Sequence, residues 1–357
     1  MISVQQRRFT WTREGIILAL FSAAVLSMPF WLELIGGYEA LATKIVIWAL
    51  FALGFDLLLG CTALLSFGHA AFFGTSAYVT GLMLKHLSSS IIPAIAASMT
   101  VSLVLGVLLG LLILRRSGIY FAILSLAFAQ MLHAAALSIF ASWTGGDNGL
   151  TMATVPELFT IRMEGQKIFY LCAFILIGGF ALARQLKRSP VGTMLLAIKE
   201  NPMRLEYTGV NVMFYKMAAY VISGLYAGLA GSLMVIYEPY VATHFLNWGT
   251  SGEVIIMSVI GGVNTLFGPM LGAFFMLYFE NVVQVIIGAQ WKLVLGLIFV
   301  LVVVFLPGGI VDLKRRLLKG LGYERPRRDN VPDAPGSLLE EREKRYITYD
   351  EFEEVEG

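Results

Sequence analysis

Ionisable side chains inside long apolar stretches are the first candidates for chemistry in this sequence. The clearest is Asp56, which lies in the run Leu-Gly-Phe-Asp-Leu-Leu-Leu, and His69, His133, Glu253 and Glu280 are placed similarly. A charge in an apolar setting is costly, so such groups mark either a polar path or a hydrogen-bonded pin between helices. A proton relay needs several of them along one face, and the sequence assembles no such set.

Enzyme motifs are absent from the sequence. There is no phosphate loop ending in Gly-Lys-Ser/Thr, no His-Glu-x-x-His zinc motif and no Gly-x-Ser-x-Gly nucleophile elbow. The four histidines are scattered, and the two cysteines, Cys61 and Cys172, lack the spacing of a metal site. We therefore predict no catalytic residue, no metal and no cofactor, and a membrane enzyme is the least favoured function.

The elements that must position these residues are membrane helices. Of the 357 residues, 57% are hydrophobic and 14% are charged, whereas a soluble domain carries about 25% charged residues. The formal net charge is only +2, which indicates no nucleic-acid partner. The predicted fold class is an all-α polytopic membrane protein in a lipid bilayer.

Ten apolar segments approach the length that crosses a bilayer core, which is about 20 residues. Two of them, 44–60 and 250–264, are noticeably short. We predict spans, fully or partly inserted, at 15–35, 44–60, 68–87, 91–114, 119–141, 167–184, 215–237, 250–264, 267–287 and 291–307.

The distribution of Lys and Arg predicts the orientation of these spans. Basic clusters lie at the N-terminus, at Arg115 and Arg116, within 185–214, and after residue 312. Ten spans place all four clusters and both termini in the cytoplasm, and the connections at 142–166 and 238–249 outside. The predicted regions are a cytoplasmic N-terminus at 1–14, a transmembrane domain at 15–311, and a basic-then-acidic cytoplasmic tail at 312–357.

The polar interval 185–214 is expected to form two short helices. Ser189 is a helix cap with Pro190 in the first turn, and Asn201 caps a second helix after the break at Pro202. Gly209 suits the end of the second helix. Helices of two turns are not stable alone, so they must pack on the protein's own helix ends or on a docked partner.

Two glycine-rich stretches resemble each other. The run from Leu65 to Gly74 is similar to the run from Thr265 to Phe275, and each follows one of the short segments. Such interruptions in two halves of a transporter mark a translocation path, although the likeness is short enough to arise by chance. G-x-x-x-G pairs at 106/110, 224/228 and 268/272 pack helices closely, either within the subunit or against a second one.

Several motifs together resemble the LivM-type branched-chain amino acid permeases, which are membrane subunits of ATP-binding-cassette (ABC) importers. The central one is Ser-Pro-Val-Gly at 189–192 with Ala-Ile-Lys-Glu-Asn at 197–201 and Thr-Gly-Val-Asn at 208–211. Leu-Ser-Phe-Gly-His at 65–69, Trp-Thr-Gly-Gly-Asp-Asn-Gly-Leu at 143–150 and Phe-Leu-Pro-Gly-Gly at 305–309 are also similar. The resemblance covers residues 45–312.

The resemblance implies a multi-pass subunit in the bacterial inner (cytoplasmic) membrane. It implies a second homologous permease of the LivH type, two ABC ATPase subunits, and a periplasmic binding protein that delivers a small-molecule substrate. Branched-chain or related small amino acids are the expected substrates; urea, short amides or aromatic acids remain alternatives, as does an ion-coupled carrier.

The resemblance and the residue patterns together give three sets of candidate site residues. The ATPase-coupling set is Ser189, Pro190, Gly192, Leu195, Ala197, Ile198, Glu200, Asn201 and Gly209. The substrate-path set is Asp56, Ser66, Gly68, His69, Gly261, Gly262 and Gly268. The binding-protein contact set is Trp143, Gly145, Gly146, Asp147 and Asn148.

Overall fold

The computed structural model describes residues 4–152, 156–159, 161–305 and 308–310, and most of them are helical. The predicted tail at 312–357 lies outside the described residues. The helices are α1 Val4–Leu26, α2 Met28–Leu34, α3 Glu39–Thr62, α4 His69–His86, α5 Ile91–Ile113, α6 Ile119–Leu137, α7 Ala141–Thr144, α8 Gln166–Arg188, α9 Pro190–Glu200, α10 Pro202–Tyr207, α11 Val212–Tyr237, α12 Trp248–Gly261, α13 Phe267–Ile287 and α14 Trp291–Phe305. The strands are two residues each: β1 Leu150–Thr151, β2 Glu157–Leu158, β3 Ile161–Arg162 and β4 Tyr240–Val241.

Five helices in the described residues are long and apolar enough to cross a membrane: α3, α5, α6, α8 and α11. The pair α1–α2 counts as a sixth if it is one span, although it bends by 57° at a one-residue break. Each of the ten predicted segments coincides with a helix or with this bent pair, but the full count of ten spans and the direction of the termini remain predictions.

One predicted short segment is not short. The expectation for 44–60 was wrong, because α3 has 24 residues and begins at Glu39. Lys44 lies inside the first turns of α3 and forms an ion pair with Glu238, with Nζ and Oε1 2.6 Å apart. The ion pair lets α3 continue through Lys44, so the apolar run that begins there underestimates the length of the helix. In contrast, α12 has only 14 residues, as the segment 250–264 predicts.

The core of the bundle is built around α3 and α11. In α3, 94% of the apolar window is buried, and in α11 the fraction is 72%. Glycines let the backbones approach: Gly54 of α3 lies against Tyr226, and Gly224 of α11 lies against the ring of Phe72. The pair at 224/228 therefore packs within the subunit, which is one of the two predicted uses of such pairs.

Hydroxyl pairs join α11 and α4 to α5. Ser76 and Ser102 have their Oγ atoms 2.6 Å apart, and Ser98 and Ser232 have theirs 2.7 Å apart. All four side chains are buried. A buried hydroxyl is costly unless it is hydrogen-bonded, so these pairs favour one packing of the three helices.

The two glycine-rich stretches form similar helix breaks. After α3, the chain turns at Ala63 (φ 57°), and the Gly68 N–H that opens α4 donates to Ser66 Oγ at 3.2 Å. After α12, it turns at Asn264 (φ 70°), and the Gly268 N–H donates to Thr265 Oγ1 at 2.8 Å. The likeness of the two sequences therefore extends to their local structure.

The helix α11 connects two ends of the bundle. We call the end that carries α9 and α10 the α9 end. At the other end, the β4 end, β1 pairs antiparallel with β4, with Leu150 opposite Val241 and Thr151 opposite Tyr240.

Candidate functional site

The α9 end begins with two capped helices. Ser189 Oγ accepts a hydrogen bond from the Gly192 N–H at 3.3 Å, and Asn201 Oδ1 accepts one from the Arg204 N–H at 3.0 Å. A proline follows each cap at the first helical position. Both helices that were predicted for 185–214 are present, although α8 extends to Arg188 and leaves a shorter connection than expected.

The helix α9 packs against the protein's own core. Leu195 and Ile198 are each 2% exposed, and α9 contacts α3, α8 and α11. A Cβ at Gly192 would overlap the carbonyl oxygens of Leu186 and Lys187, so only glycine permits this approach to the end of α8. These three residues of the coupling set therefore face inward, where a soluble partner does not reach them.

Two lysines connect this end to the core helices. Lys199 of α9 donates from Nζ to the Gly60 carbonyl of α3 at 3.1 Å. Lys187 of α8 donates from Nζ to the Asn264 carbonyl, in the linker between α12 and α13. Hydrogen bonds from charged donors are stronger than those between neutral groups, so both are firm attachments.

Asp56 occupies the centre of the same region. Its Oδ1 accepts from the Asn264 N–H at 2.6 Å and its Oδ2 from the Leu266 N–H at 3.4 Å. Its side chain is 1% exposed, and a Cβ at Gly60 would lie 2.8 Å from Oδ1. The carboxylate therefore joins α3 to the linker at 262–266. Of the two roles that the sequence allowed, a polar path or a hydrogen-bonded pin between helices, this contact matches the pin. We call Asp56, Gly60, Lys187, Lys199 and Asn264 the Asp56 network.

The exposed surface of this end belongs to α10 and its surroundings. Met203 is 63% exposed, Tyr207 is 85% exposed, and Phe214 at the start of α11 is 66% exposed. No described residue of α10 is buried. Sequence reasoning missed these three side chains; for Met203 and Tyr207, the available signal was two large side chains on a helix too short to bury them.

The remaining members of the coupling set lie at the two ends of α9 and at the end of α10. Pro190, Glu200, Asn201 and Gly209 are exposed, whereas Ala197 and Ser189 are half-buried. Gly209 has a φ of +82° and follows the end of α10, a conformation that favours glycine.

The substrate-path set is packed inside the subunit. His69 is fully buried, and its Nε2 lies 2.7 Å from Ser223 Oγ, which itself donates to the Gly54 carbonyl at 2.7 Å. The imidazole Nε2–H is therefore the donor to Ser223. Gly68 is in close contact with the backbone of Ser125, 2.8 Å from an added Cβ.

The glycines of the second break show the same packing. A Cβ at Gly261 would overlap the Gly268 carbonyl, and Gly262 takes a φ of +113° where α12 ends. Together with buried Ser66, these residues join helices, and their place on a substrate path stays a prediction.

The binding-protein contact set lies at the β4 end. Trp143 is 68% exposed, and Asp147 and Asn148 are also exposed, while Gly146 is buried. Gly145 has a φ of +80°, and the Tyr240 hydroxyl donates to the Asn148 carbonyl at 3.2 Å. A cavity of about 560 Å³ lies beside Trp143 and Gly145, with Lys85 and His86 of α4 on its wall.

Metal chemistry has no support from the part of the chain that the structure describes. Among those residues, no group of three or more His, Cys, Asp or Glu side chains is arranged to hold a metal ion.

Comparison with known proteins shows what the chain is similar to. The family model described as "Branched-chain amino acid transport system / permease component" matches residues 37–304. The high-affinity branched-chain amino acid transport system permease protein LivM of Salmonella typhimurium is 26% identical over 334 residues, which cover 87% of this chain and 77% of that protein. LivM of Escherichia coli (strain K12) is 25% identical over 331 residues, 86% of this chain and 77% of that protein.

A more distant relative is named for a different substrate. The autoinducer 2 import system permease protein LsrC of Enterobacter sp. (strain 638) is 26% identical over 195 residues, which cover 51% of this chain and 55% of that protein. No solved structure matches the chain.

Proposed function

The chain belongs to the family of branched-chain amino acid transport permeases, and from this membership we propose that it is one of two permease subunits of a binding-protein-dependent importer. It is a multi-pass membrane protein, and we place it in the bacterial inner membrane. Its partners are a second permease of the LivH type, two ABC ATPase subunits and a periplasmic binding protein.

Branched-chain or related small amino acids are the proposed substrates. The two LivM relatives carry that substrate class in their names and align with most of this chain. The LsrC relative is named for another substrate, so the architecture alone does not restrict the cargo. Urea, short amides and aromatic acids are therefore included in the substrate screen described below.

The Asp56 network is the observation that carries the proposed mechanism. It joins the polar α8–α10 region to α3 through Lys199 and to the α12–α13 linker through Lys187. Alternating access needs an element that is displaced by the ATPase subunits and transmits this displacement to the helices that form the substrate path. A displacement of α9 together with the end of α8 would act on both helix breaks, because Lys199 of α9 and Lys187 of α8 each hold the backbone near one of them.

The surface that the ATPase subunit would contact is formed by α10. Met203 and Tyr207 are exposed apolar and aromatic side chains, and Arg204 and Glu206 beside them are exposed charges. Interfaces favour aromatic residues and methionine over the rest of the surface. We therefore assign ATPase contact to α10 and the exposed members Pro190, Glu200, Asn201 and Gly209, and transmission to the buried face of α9.

The β4 end is the proposed site of binding-protein contact. Trp143 is a large exposed aromatic side chain, of the type that contributes most at interfaces. Its position beside the cavity at α4 suits a residue that meets an incoming protein at the outer mouth.

One experiment tests the proposal as a whole. The tagged chain is co-expressed with the candidate partner subunits, purified, and reconstituted in vesicles with ATP inside and the binding protein outside. We expect co-purification of two ATPase subunits and a second permease, and uptake of leucine, isoleucine or valine that stops without ATP. Uptake by the isolated chain without ATP would establish an ion-coupled carrier instead. Uptake of urea, an amide or an aromatic acid alone would retain the importer and replace its substrate.

A further inference from the structure

The cavity beside Trp143 at the β4 end has a basic wall. It has a volume of about 560 Å³ and lies between the last turns of α4 and the segment 142–150. Lys85 and His86, in the last turn of α4, line it with exposed side chains. The roles argued above use Trp143, but they give no role to these two basic residues.

The two sides of the cavity are held in place by packing within the subunit. A Cβ at Gly81 of α4 would lie 3.2 Å from Leu150 Cδ2, so the end of α4 lies directly against β1. On the other side, the buried Thr144 hydroxyl donates to the Ala136 carbonyl at 2.6 Å, which fixes the turn that carries Trp143. A preformed site loses less conformational entropy on binding than a flexible one, so the cavity suits a specific contact.

Lys85 brings a positive charge that has no carboxylate partner in the part of the chain that the structure describes. It takes part in no ion pair or side-chain hydrogen bond there, and no Asp or Glu lines the cavity. Glu157, beside the loop that follows α4, has an ion-pair partner of its own, and Asp147 is exposed on the turn next to the wall. Residues 153–155 and 160 lie outside the described part and are Ala, Thr, Val and Thr, which carry no charge. The cavity therefore favours an anionic occupant.

The described part of the chain ends far from this cavity. A Cβ at Gly309 would overlap the nitrogen of Gly262, in the linker at the α9 end. The acidic run from Asp350 to Glu356 comes after that point in the sequence. Because membrane spans separate the two ends of the bundle, the anion is expected from a partner at the β4 end.

The remaining surface of the cavity favours a protein side chain over a small ion. Leu82 and Leu150 line it, as do the exposed side chains of Leu87 and Trp143. The methylene groups of an Asp or Glu can pack on this apolar surface while its carboxylate reaches Lys85, whereas an inorganic anion gains nothing from it. The charge alone would not identify a site, because a lysine in the last turn of a helix is stabilised by the helix dipole in any case.

We propose that this cavity receives the carboxylate of an acidic side chain of the binding protein, with Lys85 as its charged partner and Trp143 against its aliphatic part. The inference rests on the proposed function, which assigns binding-protein contact to the β4 end, and it adds the chemistry of that contact. Complementary charges speed the encounter of two proteins and fix their orientation. The docking face of the binding protein therefore carries an Asp or Glu that enters the cavity.

The test measures binding of the candidate binding protein to the importer complex in phosphatidylcholine nanodiscs, at low and at high salt. The variants are Lys85→Gln, Lys85→Arg and the matched control Lys167→Gln, an exposed lysine at the start of α8 and so at the same end of the bundle. We expect Lys85→Gln to weaken binding about tenfold at low salt, and less at high salt, because salt screens the attraction. Lys85→Arg keeps the charge and should retain most of the affinity, and Lys167→Gln should bind as the wild type does.

Two further variants separate a specific contact from a misfolded one. Lys85→Glu should weaken binding about 100-fold, and a single Asp or Glu to Lys change on the binding protein should restore it. Ser142→Phe fills the cavity without changing any charge, and it should weaken binding while the melting temperature stays the same, because Ser142 is exposed.

The outcomes distinguish this inference from the proposed function. Equal binding by the wild type, Lys85→Gln and Ser142→Phe would overturn the inference and leave the proposed function intact, as would an equal loss in Lys167→Gln. If even the wild-type complex did not bind the binding protein, the proposed function and the inference would fall together. Binding of phosphatidylglycerol or of free leucine that needs Lys85, with unchanged affinity for the binding protein, would assign the cavity to that ligand and overturn the inference.

Discussion

Lys199 donates a hydrogen bond from its side-chain nitrogen to the backbone carbonyl of Gly60, with the two atoms 3.1 Å apart. The two residues are 139 positions apart in the sequence. One belongs to the short polar helix α9, and the other lies in the last turn of the buried helix α3. This contact attaches an element at the edge of the bundle to its most buried helix.

Loss of the Lys199 attachment should uncouple ATP hydrolysis from transport. A hydrogen bond from a charged donor contributes about 1.5–3 kcal/mol, so Lys199→Gln should reduce substrate moved per ATP by about tenfold in reconstituted vesicles. Lys199→Arg, which keeps the charge, should retain part of the coupling. Lys167→Gln, an exposed lysine at the start of α8, is the control and should behave as the wild type. If Lys199→Gln moved as much substrate per ATP as the wild type, this contact would not transmit the coupling.

Gly192 should not tolerate a side chain. A Cβ there overlaps the backbone of α8, and overpacking of this kind costs about 1–3 kcal/mol. Gly192→Ala should therefore lower the melting temperature and expose 189–211 to protease. Gly178→Ala on α8 meets nothing within 4 Å and is the matched control, expected to be neutral or slightly stabilising. Equal melting temperatures for the two variants would contradict the packing described for α9.

Asp56 should be required to order the linker at 262–266. Both carboxylate oxygens accept backbone N–H groups, whereas the amide of Asp56→Asn offers one acceptor and turns a donor toward the other N–H. The expected cost is about 1–3 kcal/mol. Hydrogen exchange measures it directly, through faster exchange at Asn264 and Leu266. Asp147→Asn, at an exposed aspartate, is the control, and unchanged protection in Asp56→Asn would show that the pin is dispensable.

The exposed face of α10 should carry ATPase binding without contributing to stability. Met203→Ser/Tyr207→Ser should reduce the ATPase recovered with the tagged chain at least tenfold, because interface anchors of this type contribute about 2 kcal/mol or more each. The melting temperature should not change, since α10 has no buried residue among those described. Tyr120→Ser, a 68% exposed tyrosine at the start of α6, should leave ATPase recovery intact. Full recovery with the α10 variant would move the docking surface elsewhere.

Trp143 should anchor the binding protein at the β4 end. Trp143→Ala should weaken the affinity of the reconstituted permease for the binding protein about 30-fold, as the loss of an exposed aromatic anchor does. Phe159→Ala removes a 77% exposed aromatic side chain from the β2–β3 turn and is the matched control. Equal affinities for the two variants would leave Trp143 without a role in this contact.

Local features of the α9 end could be predicted because they depend on neighbouring residues only. A helix cap needs a side chain and an N–H about three positions later, so Ser189 and Asn201 were identified correctly from sequence. The likeness of the two helix breaks was visible for the same reason, since each hydroxyl lies within three residues of the glycine N–H that donates to it.

Which side chains of a short helix are buried and which are exposed could not be predicted in the same way. The sequence predicted that the helix carrying Leu195 and Ile198 packs on either the protein's own helix ends or a docked partner, and both residues were placed in the coupling set. The structure buries them, and it exposes Met203 and Tyr207 instead. Periodicity shows that a stripe exists, but the neighbouring helices decide what covers it.

The amino-acid sequence was enough to predict the membrane class, the positions of the helices, the caps and breaks between them, and the family. These follow from composition, from periodicity and from motifs that are contiguous in the chain. Tertiary packing alone makes Asp56 a pin between α3 and the linker at 262–266 and brings Lys187 and Lys199 to the two helix breaks. Each of these depends on backbone groups that are far apart in sequence, such as Asp56 and Asn264, which only packing brings within hydrogen-bonding distance.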